Sequence, residues 1–311
     1  MKKILFINPS NPECGIADLG RRYYQNIKNS SNYKITFKEL AGISNLELLK
    51  DIYKPDILLV NYSMMYFPHL NVFTEKYKGL IKTALIYHDA GTYCYYDSLI
   101  FVDTTRQNIP EKLIFSLPRP LNEYTLSAIS ENKIPRIGSY GFCHVSKNFD
   151  KVAELVCKEF DSAILTYFLP KNKFEYDFSM RNDIISKIKS VVENSGKNIK
   201  LEINENFLDN QALIDFLRSN DINVFLNSSR DIEQDISLSS STDFALMARR
   251  PIAVSKSNMF THFQDVSPSV YVEDRSLKDI IASGITPVDQ MYKDHSPQAF
   301  LEKFEYIMSH L

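Results

Sequence analysis

Short apolar runs alternate with amphipathic stretches along the first 130 residues. KILFINP at 3–9 is apolar at nearly every position, as a strand covered on both faces requires. IADLGRRYYQNI at 16–27 repeats apolar residues at helical spacing. Further strands are predicted at 33–40, 56–62, 83–89, 98–105 and 112–118, and further helices at 46–52 and 74–81. Strands that alternate with helices indicate a parallel, doubly wound sheet.

The alternation restarts after a polar stretch, LSAISENKIP at 126–135, which is typical of a linker. RIGSYGF at 136–142 predicts a new strand and FDKVAELVCKEF at 149–160 a new amphipathic helix. The remaining predicted strands are 162–169, 199–204, 222–228, 251–255 and 269–274, and the remaining predicted helices are 181–193, 212–220, 242–250 and 298–311.

These patterns predict an α/β protein of two Rossmann-like doubly wound domains with parallel sheets, facing each other across a cleft. The expected boundaries are 1–130 for the first domain and 131–295 for the second. A C-terminal helix at 296–311 is expected to pack back on the first domain. Ligands of open α/β sheets bind at the carboxyl ends of the strands, so a cleft between two such domains is the expected binding site.

Composition and charge exclude several classes of protein. The 311 residues are 44% hydrophobic and 24% charged, which is typical of a globular protein. No apolar run reaches the length of about 18 residues needed to span a bilayer, and the N-terminal apolar stretch is too short for a signal peptide. Up to residue 134 there are 16 Lys and Arg against 13 Asp and Glu, an excess too small to indicate nucleic-acid binding.

The cysteines and histidines predict no metal site. The four cysteines (Cys14, Cys94, Cys143 and Cys157) form no C-x-x-C pair, and the six histidines are scattered. We therefore expect free thiols in a reducing cytoplasm and no metal cofactor.

The loop after the strand at 136–142 could bind phosphate. Gly141 and Phe142 lead to Lys147, which stands just before the predicted helix. Backbone N–H groups at a helix N-terminus attract phosphate, and a lysine there adds a positive charge. The glycine spacing does not match the G-x-G-x-x-G fingerprint, so a tight turn with a surface lysine remains the alternative.

A second motif lies at 230–260, RDIEQDISLSSSTDFALMARRPIAVSKSNMF. Asp235 and Asp243 stand eight positions apart, ahead of a small-residue helix and the strand PIAVS. This region resembles the nucleotide-sugar glycosyltransferases of the GT-B fold, in particular retaining family 4 and bacterial surface-polysaccharide members. That family carries two glutamates at this spacing; here both carboxylates are aspartates, and Pro251 lies one position farther along.

The resemblance extends over most of the chain and implies roles for several residues. It implies that Asp243 binds the ribose of the donor nucleotide, that Asp235 contacts the donor sugar, and that Lys147 meets the pyrophosphate. CGIADLGRRYYQNI resembles the family's N-terminal glycine loop, with Gly15 close to the substrates. IYHDA resembles the strand end where the family places a histidine, here His88, facing the donor sugar.

One charge of the family pattern is missing near Lys147. The family has an arginine close to this lysine, and GSYGF contains none. Arg230 could supply that charge from a neighbouring strand end, with an exposed loop arginine as the alternative. Two further residues remain open: His88 could instead cap its strand, and Asp235 lies in an acidic, serine-rich loop where partners at this spacing are common.

The resemblance implies a glycosyltransferase that moves a sugar from a nucleoside-diphosphate sugar to a glycan or lipid-linked acceptor. Transfer is expected to retain configuration and, with no D-x-D motif at a strand end, to need no metal. The protein is expected in the cytoplasm, with peripheral contact at the inner membrane face if the acceptor is lipid-linked. The alternatives are a GT-B nucleotide-sugar epimerase and a degenerate glycosyltransferase acting as a binding partner. A periplasmic-type binding protein would need an export signal.

Overall fold

The computed structural model describes residues 1–11, 14–88, 94–129, 132–171, 178–228 and 238–311. These residues form two compact units. The first unit contains the described residues up to Asn122, together with Leu238 and Lys293–Leu311. The second contains the described residues from Glu123 to Ser228 and from Ser239 to Tyr292. The first unit thus ends before the predicted linker and includes both ends of the given chain.

The first unit is a parallel sheet with helices on both faces. Its strands are β1 (Lys2–Pro9), β2 (Tyr33–Leu40), β3 (Ile57–Tyr62), β4 (Lys82–Tyr87), β5 (Ser98–Phe101) and β6 (Ile114–Ser116). Its helices are α1 (Gly15–Ile27), α2 (Leu46–Tyr53), α3 (Leu70–Lys76) and, at the C-terminal end of the chain, α10 (Pro297–Ser309), with a 3-10 helix at Pro110–Lys112. The sheet order is β2-β1-β3-β4-β5-β6, and every pair is parallel.

Successive residues of β1 face opposite sides of this sheet, which explains why the four consecutive residues Ile4–Ile7 are all apolar. Ile4 and Phe6 pack with Tyr23 of α1 and Phe300 of α10. The intervening residues, Leu5 among them, belong to a separate cluster with α2 and α3. Because side chains alternate across a strand, a strand buried on both faces must be apolar at consecutive positions.

The second unit repeats this architecture with five strands. They are β7 (Arg136–Tyr140), β8 (Ser162–Phe168), β9 (Asn198–Asn204), β10 (Ile222–Phe225) and β11 (Ile252–Val254), in the parallel order β11-β10-β7-β8-β9. Its helices are α4 (Phe149–Glu159), α5 (Phe178–Asn194), α6 (Asn210–Arg218), α7 (Ser240–Met247), α8 (Leu277–Ser283) and α9 (Asp289–Asp294), with 3-10 helices at Val145–Lys147, Asn258–Phe263 and Thr286–Val288. The prediction of two parallel α/β domains is therefore confirmed.

Buried amides occupy the core of the second unit beside Gly138 of β7. A Cβ at this position would lie 1.9 Å from Nδ2 of Asn220 and 2.8 Å from Oδ1 of Asn223. Asn220 donates to Asn223 over 2.9 Å and accepts from Thr166 over 3.0 Å. The glycine is required because the amide groups fill the space that a side chain would occupy.

Two predicted elements differ from the structure. The helix predicted at 74–81 is α3, which begins at Leu70 and ends at Lys76; Gly79, with a φ of +76°, lies in the turn that follows. The strand predicted at 269–274 is reduced to a single bridge between Val254 and Tyr271. Within the described residues, no helix is long and apolar enough to cross a membrane.

Candidate functional site

The strongest candidate site lies at the carboxyl edge of the second sheet, where the strand order reverses. The chain runs from β7 outward to β8 and β9, then returns to β10 on the other side of β7. The loops after β7 and β10 therefore diverge and leave a crevice, as they do in doubly wound folds that bind ligands. The pocket there is lined by Ser139, Tyr140, Lys147, Phe149, Phe225, Leu226, Asn227, Ser239, Ser241 and Phe260.

Lys147 reaches this pocket because Gly141 has no side chain. The lysine is the last residue of a 3-10 helix, and Asn148 follows with a φ of +47° before α4 begins. A Cβ on Gly141 would lie 2.4 Å from Nζ of Lys147, and the φ of +148° at Gly141 is also one that other residues rarely adopt. The structure thus brings Gly141 and Lys147 together.

The ammonium group of Lys147 lies in a weakly solvated environment. Nζ is 3.4 Å from Oγ of Ser241, at the start of α7. Although part of the side chain reaches solvent, burial of the charged group lowers the pKa of Lys147 to about 8, and the nearby Cys143 opposes this shift. A poorly hydrated cation beside a helix N-terminus is well suited to bind an anion.

Asp243 lies in the first turn of α7, two residues after Ser241. It is buried, and it does not line the pocket itself. A carboxylate in the first turn of a helix interacts favourably with the helix dipole. The next residue, Phe244, packs edge-on against Tyr140 with ring centroids 6.2 Å apart, which ties α7 to the end of β7.

Three other predicted residues of the second domain have different outcomes. Phe142 is partly buried and directly follows Gly141 in the loop after β7. Asp235 and Arg230 both fall within 229–237, outside the described residues, so their predicted roles remain predictions. Ser241 was not singled out from the sequence, although the run SLSSST before the helix placed several hydroxyl groups near this position.

His88 and Gly15 belong to the first unit, at the carboxyl edge of its sheet. Here too the strand order reverses, between β1 and β3. Gly15 is the first residue of α1, in the connection after β1. His88 directly follows β4, and its Nε2 lies 2.6 Å from Oδ1 of Asn61 in β3.

The imidazole of His88 is neutral at physiological pH. Burial lowers its pKa to about 3, and the positive charge of Arg119 contributes in the same direction. A neutral ring can accept or donate a hydrogen bond without changing charge, as predicted for a sugar-facing histidine. It is a poor proton donor to a reaction near neutral pH because so little of it is protonated.

Asn61 was missed in the sequence, although a signal for it exists. ILFIN in β1 and ILLVN in β3 are both continuous apolar runs that end in an asparagine. An amide at the end of a strand that is buried on both faces needs hydrogen-bond partners inside the protein. Here Asn61 donates a hydrogen bond to Asn8. Among the described residues, no group of three or more His, Cys, Asp or Glu side chains could hold a metal ion.

Comparisons with known proteins identify the fold. No protein-family model and no curated protein sequence matches the chain. Solved structures do: HepE from Anabaena in complex with UDP (10% identity, 100% of both chains, TM-score 0.66), OtsA (12% identity, 99% of this chain and 98% of that chain, TM-score 0.66), and the lipopolysaccharide outer core galactosyltransferase WaaB (11% identity, 100% of both chains, TM-score 0.64). The chain thus has the fold of the GT-B glycosyltransferase structures, two parallel-sheet α/β domains.

Proposed function

We propose that this protein is a glycosyltransferase that moves a sugar from a nucleoside-diphosphate sugar to a glycan or lipid-linked acceptor. The observation that carries the proposal is the pocket at the strand-order reversal of the second sheet. There Lys147 packs over Gly141 and approaches Ser241 at the N-terminus of α7. At the crevice where the strand order reverses, the desolvated ammonium group supplies a positive charge and the helix N-terminus supplies backbone N–H groups. Together they can bind a diphosphate.

Uridine is the nucleoside we would test first. HepE was solved with UDP and with UDP and glucose, and it matches this chain over its full length. At 10% identity the fold alone is shared, so the base is part of the proposal. Asp243, on the helix that presents Ser241, is the proposed ligand of the ribose hydroxyls.

In the proposed reaction, the bond between the anomeric carbon and the diphosphate oxygen breaks, and a bond to the acceptor oxygen forms. The acceptor hydroxyl loses its proton to the leaving diphosphate. Lys147 and the backbone N–H groups at the start of α7 stabilise the negative charge that develops on the leaving group, which is preorganised electrostatic catalysis. We propose that Arg230 adds a second positive charge and that Asp235 contacts the sugar, with retention of configuration.

We further propose that no metal ion is required. The charge of Lys147 would replace the divalent cation that other nucleotide-sugar enzymes use. Turnover should therefore be the same in a chelator as in Mg²⁺ or Mn²⁺. A loss of turnover in chelator that is restored by one of these cations would overturn this part of the proposal.

The experiment that tests the function is a transfer assay followed by proton NMR of the anomeric signals. UDP-glucose, UDP-galactose and GDP-mannose are each incubated with and without a mixture of glycan and lipid-linked acceptors. We expect product only when acceptor is present, with the anomeric configuration of the donor. Lys147→Met should lower kcat at least tenfold, whereas Lys151→Met, which replaces an exposed lysine in the first turn of α4, should leave it unchanged.

The same assay separates the alternatives. Turnover of the sugar nucleotide without acceptor would indicate an epimerase or a hydrolase. Binding of a nucleoside diphosphate without any turnover would indicate a degenerate enzyme that acts as a binding partner. A net charge of −2 disfavours nucleic acid as the acceptor.

A cytoplasmic protein in peripheral contact with the inner membrane face is also part of the proposal, and the surface of α2 supports it. Leu48 and Ile52 lie one turn apart and are 60% and 59% exposed. Leu80, 78% exposed, lines a groove with Lys50 and Lys54 of the same region. Exposed apolar side chains interspersed with lysines are typical of surfaces that bind anionic lipid.

Vesicle flotation tests this contact. The protein should float with vesicles that contain phosphatidylglycerol and less with pure phosphatidylcholine. Replacing Leu48 and Ile52 together by serine should abolish flotation, whereas Phe207→Ser, an exposed aromatic of the second unit, should not. Equal flotation of the two variants would contradict a role for α2.

A further inference from the structure

A chain of buried polar side chains crosses the carboxyl edge of the first sheet and ends at His88. Asn8 of β1 and Asn61 of β3 have no exposed surface, and His88 after β4 is 8% exposed. These three strands are neighbours, in the order β1-β3-β4. Buried amides must satisfy their hydrogen bonds within the protein, so the direction of each bond can be deduced.

The first amide has its orientation fixed by acceptors on one side. Nδ2 of Asn8 faces the carbonyl oxygens of Pro9 and Ala17, at 3.2 and 3.0 Å, and Oε1 of Glu39, at 3.1 Å. Carbonyl and carboxylate oxygens accept hydrogen bonds, so the NH₂ group must lie on this side. Oδ1 of Asn8 therefore points the other way, toward Asn61.

The second amide is fixed in the same manner. Nδ2 of Asn61 lies 2.7 Å from Oδ1 of Asn8 and 2.7 Å from the carbonyl oxygen of Ile16. A flipped amide would place its oxygen against two acceptors, so the NH₂ group belongs here. Oδ1 of Asn61 then faces Nε2 of His88, at 2.6 Å.

This direction determines the tautomer of His88. Because Oδ1 of Asn61 can only accept, Nε2 must carry the proton and donate. In a neutral imidazole the other nitrogen, Nδ1, is then an acceptor. Within the part of the chain that the structure describes, the His88 ring makes this one hydrogen bond, through Nε2.

Helix α1 leaves room for these amide groups at Gly20. A Cβ on Gly20 of α1 would lie 1.8 Å from Oδ1 of Asn8 and 2.6 Å from Nδ2 of Asn61. The absence of a side chain at Gly20 lets α1 approach β1 and β3 while the amide–amide hydrogen bond stays intact. Helix α1 and strands β1 and β3 together thus hold the Asn8–Asn61 hydrogen bond in one direction.

We propose that Asn61, held by Asn8, is a positioning residue that fixes His88 as the Nε2–H tautomer and reserves Nδ1 as an acceptor for a hydroxyl or amino group of the ligand. The identity of that ligand, a sugar of the donor, rests on the proposed function. The tautomer and its dependence on Asn61 do not, so they can be tested without any turnover.

The test is a long-range ¹H–¹⁵N correlation spectrum of the ¹⁵N-labelled full chain near neutral pH. The His88 signals are identified by their loss in His88→Gln. We expect wild type to show the Nε2–H tautomer alone. Asn61→Leu should release the ring into a mixture of tautomers. Asn61→Asp, usable if the leucine variant does not fold, should place a carboxylate beside the ring and add a proton at Nδ1.

Asn223→Leu is the matched control. It removes a buried amide of the second unit that likewise lies beside a glycine, and it should leave the His88 signals unchanged. Two results would overturn the proposal: a wild-type His88 protonated at Nδ1, or an Asn61→Leu variant that folds and keeps the wild-type tautomer. If Asn61 were merely structural, its loss would reduce stability without altering the ring.

A second readout links the tautomer to the ligand. Addition of UDP-glucose should shift the Nδ1 resonance of His88 more than addition of UDP, because the glucose adds the hydroxyl groups that are proposed to donate to this lone pair, whereas the ribose hydroxyls are proposed to bind Asp243. In Asn61→Asp that difference should disappear. If neither compound shifts the resonance while the tautomer is as stated, the positioning role stands and the choice of UDP-glucose as ligand fails.

Discussion

At the scale of single residues, Lys147 is the group whose charge the proposed site depends on. Its pKa is lowered to about 8 by desolvation, so an appreciable fraction is uncharged just above neutral pH. A bound diphosphate would stabilise the ammonium form and raise this pKa. By linkage, affinity is greatest below pH 8, where the lysine is already charged, and falls as the pH rises above 8.

We therefore predict that the Kd of UDP rises by up to about tenfold per pH unit above about pH 8. Lys147→Arg keeps its charge throughout, so its affinity should not decline over this range. Lys147→Met should bind weakly at every pH. Calorimetric titration between about pH 7 and about pH 9.5 measures this, and a decline of equal slope in wild type and Lys147→Arg would contradict the role of Lys147.

A separate prediction concerns the proposed hydrogen bond between the Asp243 carboxylate and the ribose. Hydrogen bonds to a charged group contribute about 1.5–3 kcal/mol, so wild type should bind UDP roughly ten- to a hundredfold more tightly than 2′-deoxy-UDP. Asp243→Asn should weaken the binding of UDP and leave the affinity for 2′-deoxy-UDP nearly unchanged. Asp215→Asn, an exposed aspartate on α6, is the control. Equal losses for both nucleotides in Asp243→Asn would contradict a contact with the ribose.

At the scale of elements, the glycine of β7 shows how closely the second sheet packs against buried amides. A Cβ at Gly138 would lie 1.9 Å from Nδ2 of Asn220, so Gly138→Ala should lower the free energy of unfolding by about 1–3 kcal/mol. Gly42→Ala, where nothing lies within 4 Å, should change it by no more than about 0.5 kcal/mol. Urea denaturation measures both.

The cause can be isolated with a double mutant. If the amide of Asn220 causes the loss of stability in Gly138→Ala, Asn220→Ala should relieve part of that loss. The effects of the two substitutions on the free energy of unfolding should then be non-additive by about 0.5–3 kcal/mol. Strict additivity would show that Gly138→Ala acts through some other contact.

The sequence predicted most elements because both sheets are buried on two faces. A buried parallel strand must be apolar at consecutive positions, and β1 and β3 show this directly in KILFINP and DILLVNY. The helix at 70–76 was placed too late, because it buries only two apolar side chains, Leu70 and Phe73, and the apolar Leu80 beyond it is exposed. The strand expected at 269–274 forms only a bridge, since the backbone turns at 272–274, directly after Tyr271.

Part of the site was also accessible from sequence. The glycine loop and Lys147 follow from a strand, a turn and a helix in local order, and the structure brings them together. The sequence carries signals for Ser241 and Asn61 themselves but not for their pairing with Lys147 and Asn8, because these contacts join residues 94 and 53 positions apart along the chain. Such contacts depend on strand order and register, which local patterns do not determine.

At the scale of the whole molecule, the C-terminal helix is part of the first unit. Phe300 of α10 packs on Tyr23 with ring centroids 4.9 Å apart, and Phe304 meets Tyr33 at 6.4 Å. Both phenylalanines are buried in the core that contains β1 and β3. The last helix of the given chain therefore completes the core that its first strand begins.

Phe304→Ala should accordingly destabilise the first unit by about 3–5 kcal/mol, while Glu302→Ala, exposed on the same helix, should have little effect. Amide hydrogen exchange measures where the loss falls. We expect faster exchange in β1, β3 and α1, and unchanged exchange in β7 and β8. Equal acceleration in both units would contradict the assignment of α10 to the first unit alone.

The central claim is that the pocket beside Lys147 binds a nucleoside diphosphate. The measurement that tests it most directly is the melting temperature of wild type, Lys147→Met and Lys151→Met with UDP, GDP, ADP, dTDP and CMP, each without metal. A ligand that binds only the native state stabilises it by about 2.7 kcal/mol at a hundred times its Kd. We predict that one nucleoside diphosphate raises the melting temperature of wild type and Lys151→Met but not of Lys147→Met. No rise with any nucleotide, or the same rise in all three proteins, would contradict the claim.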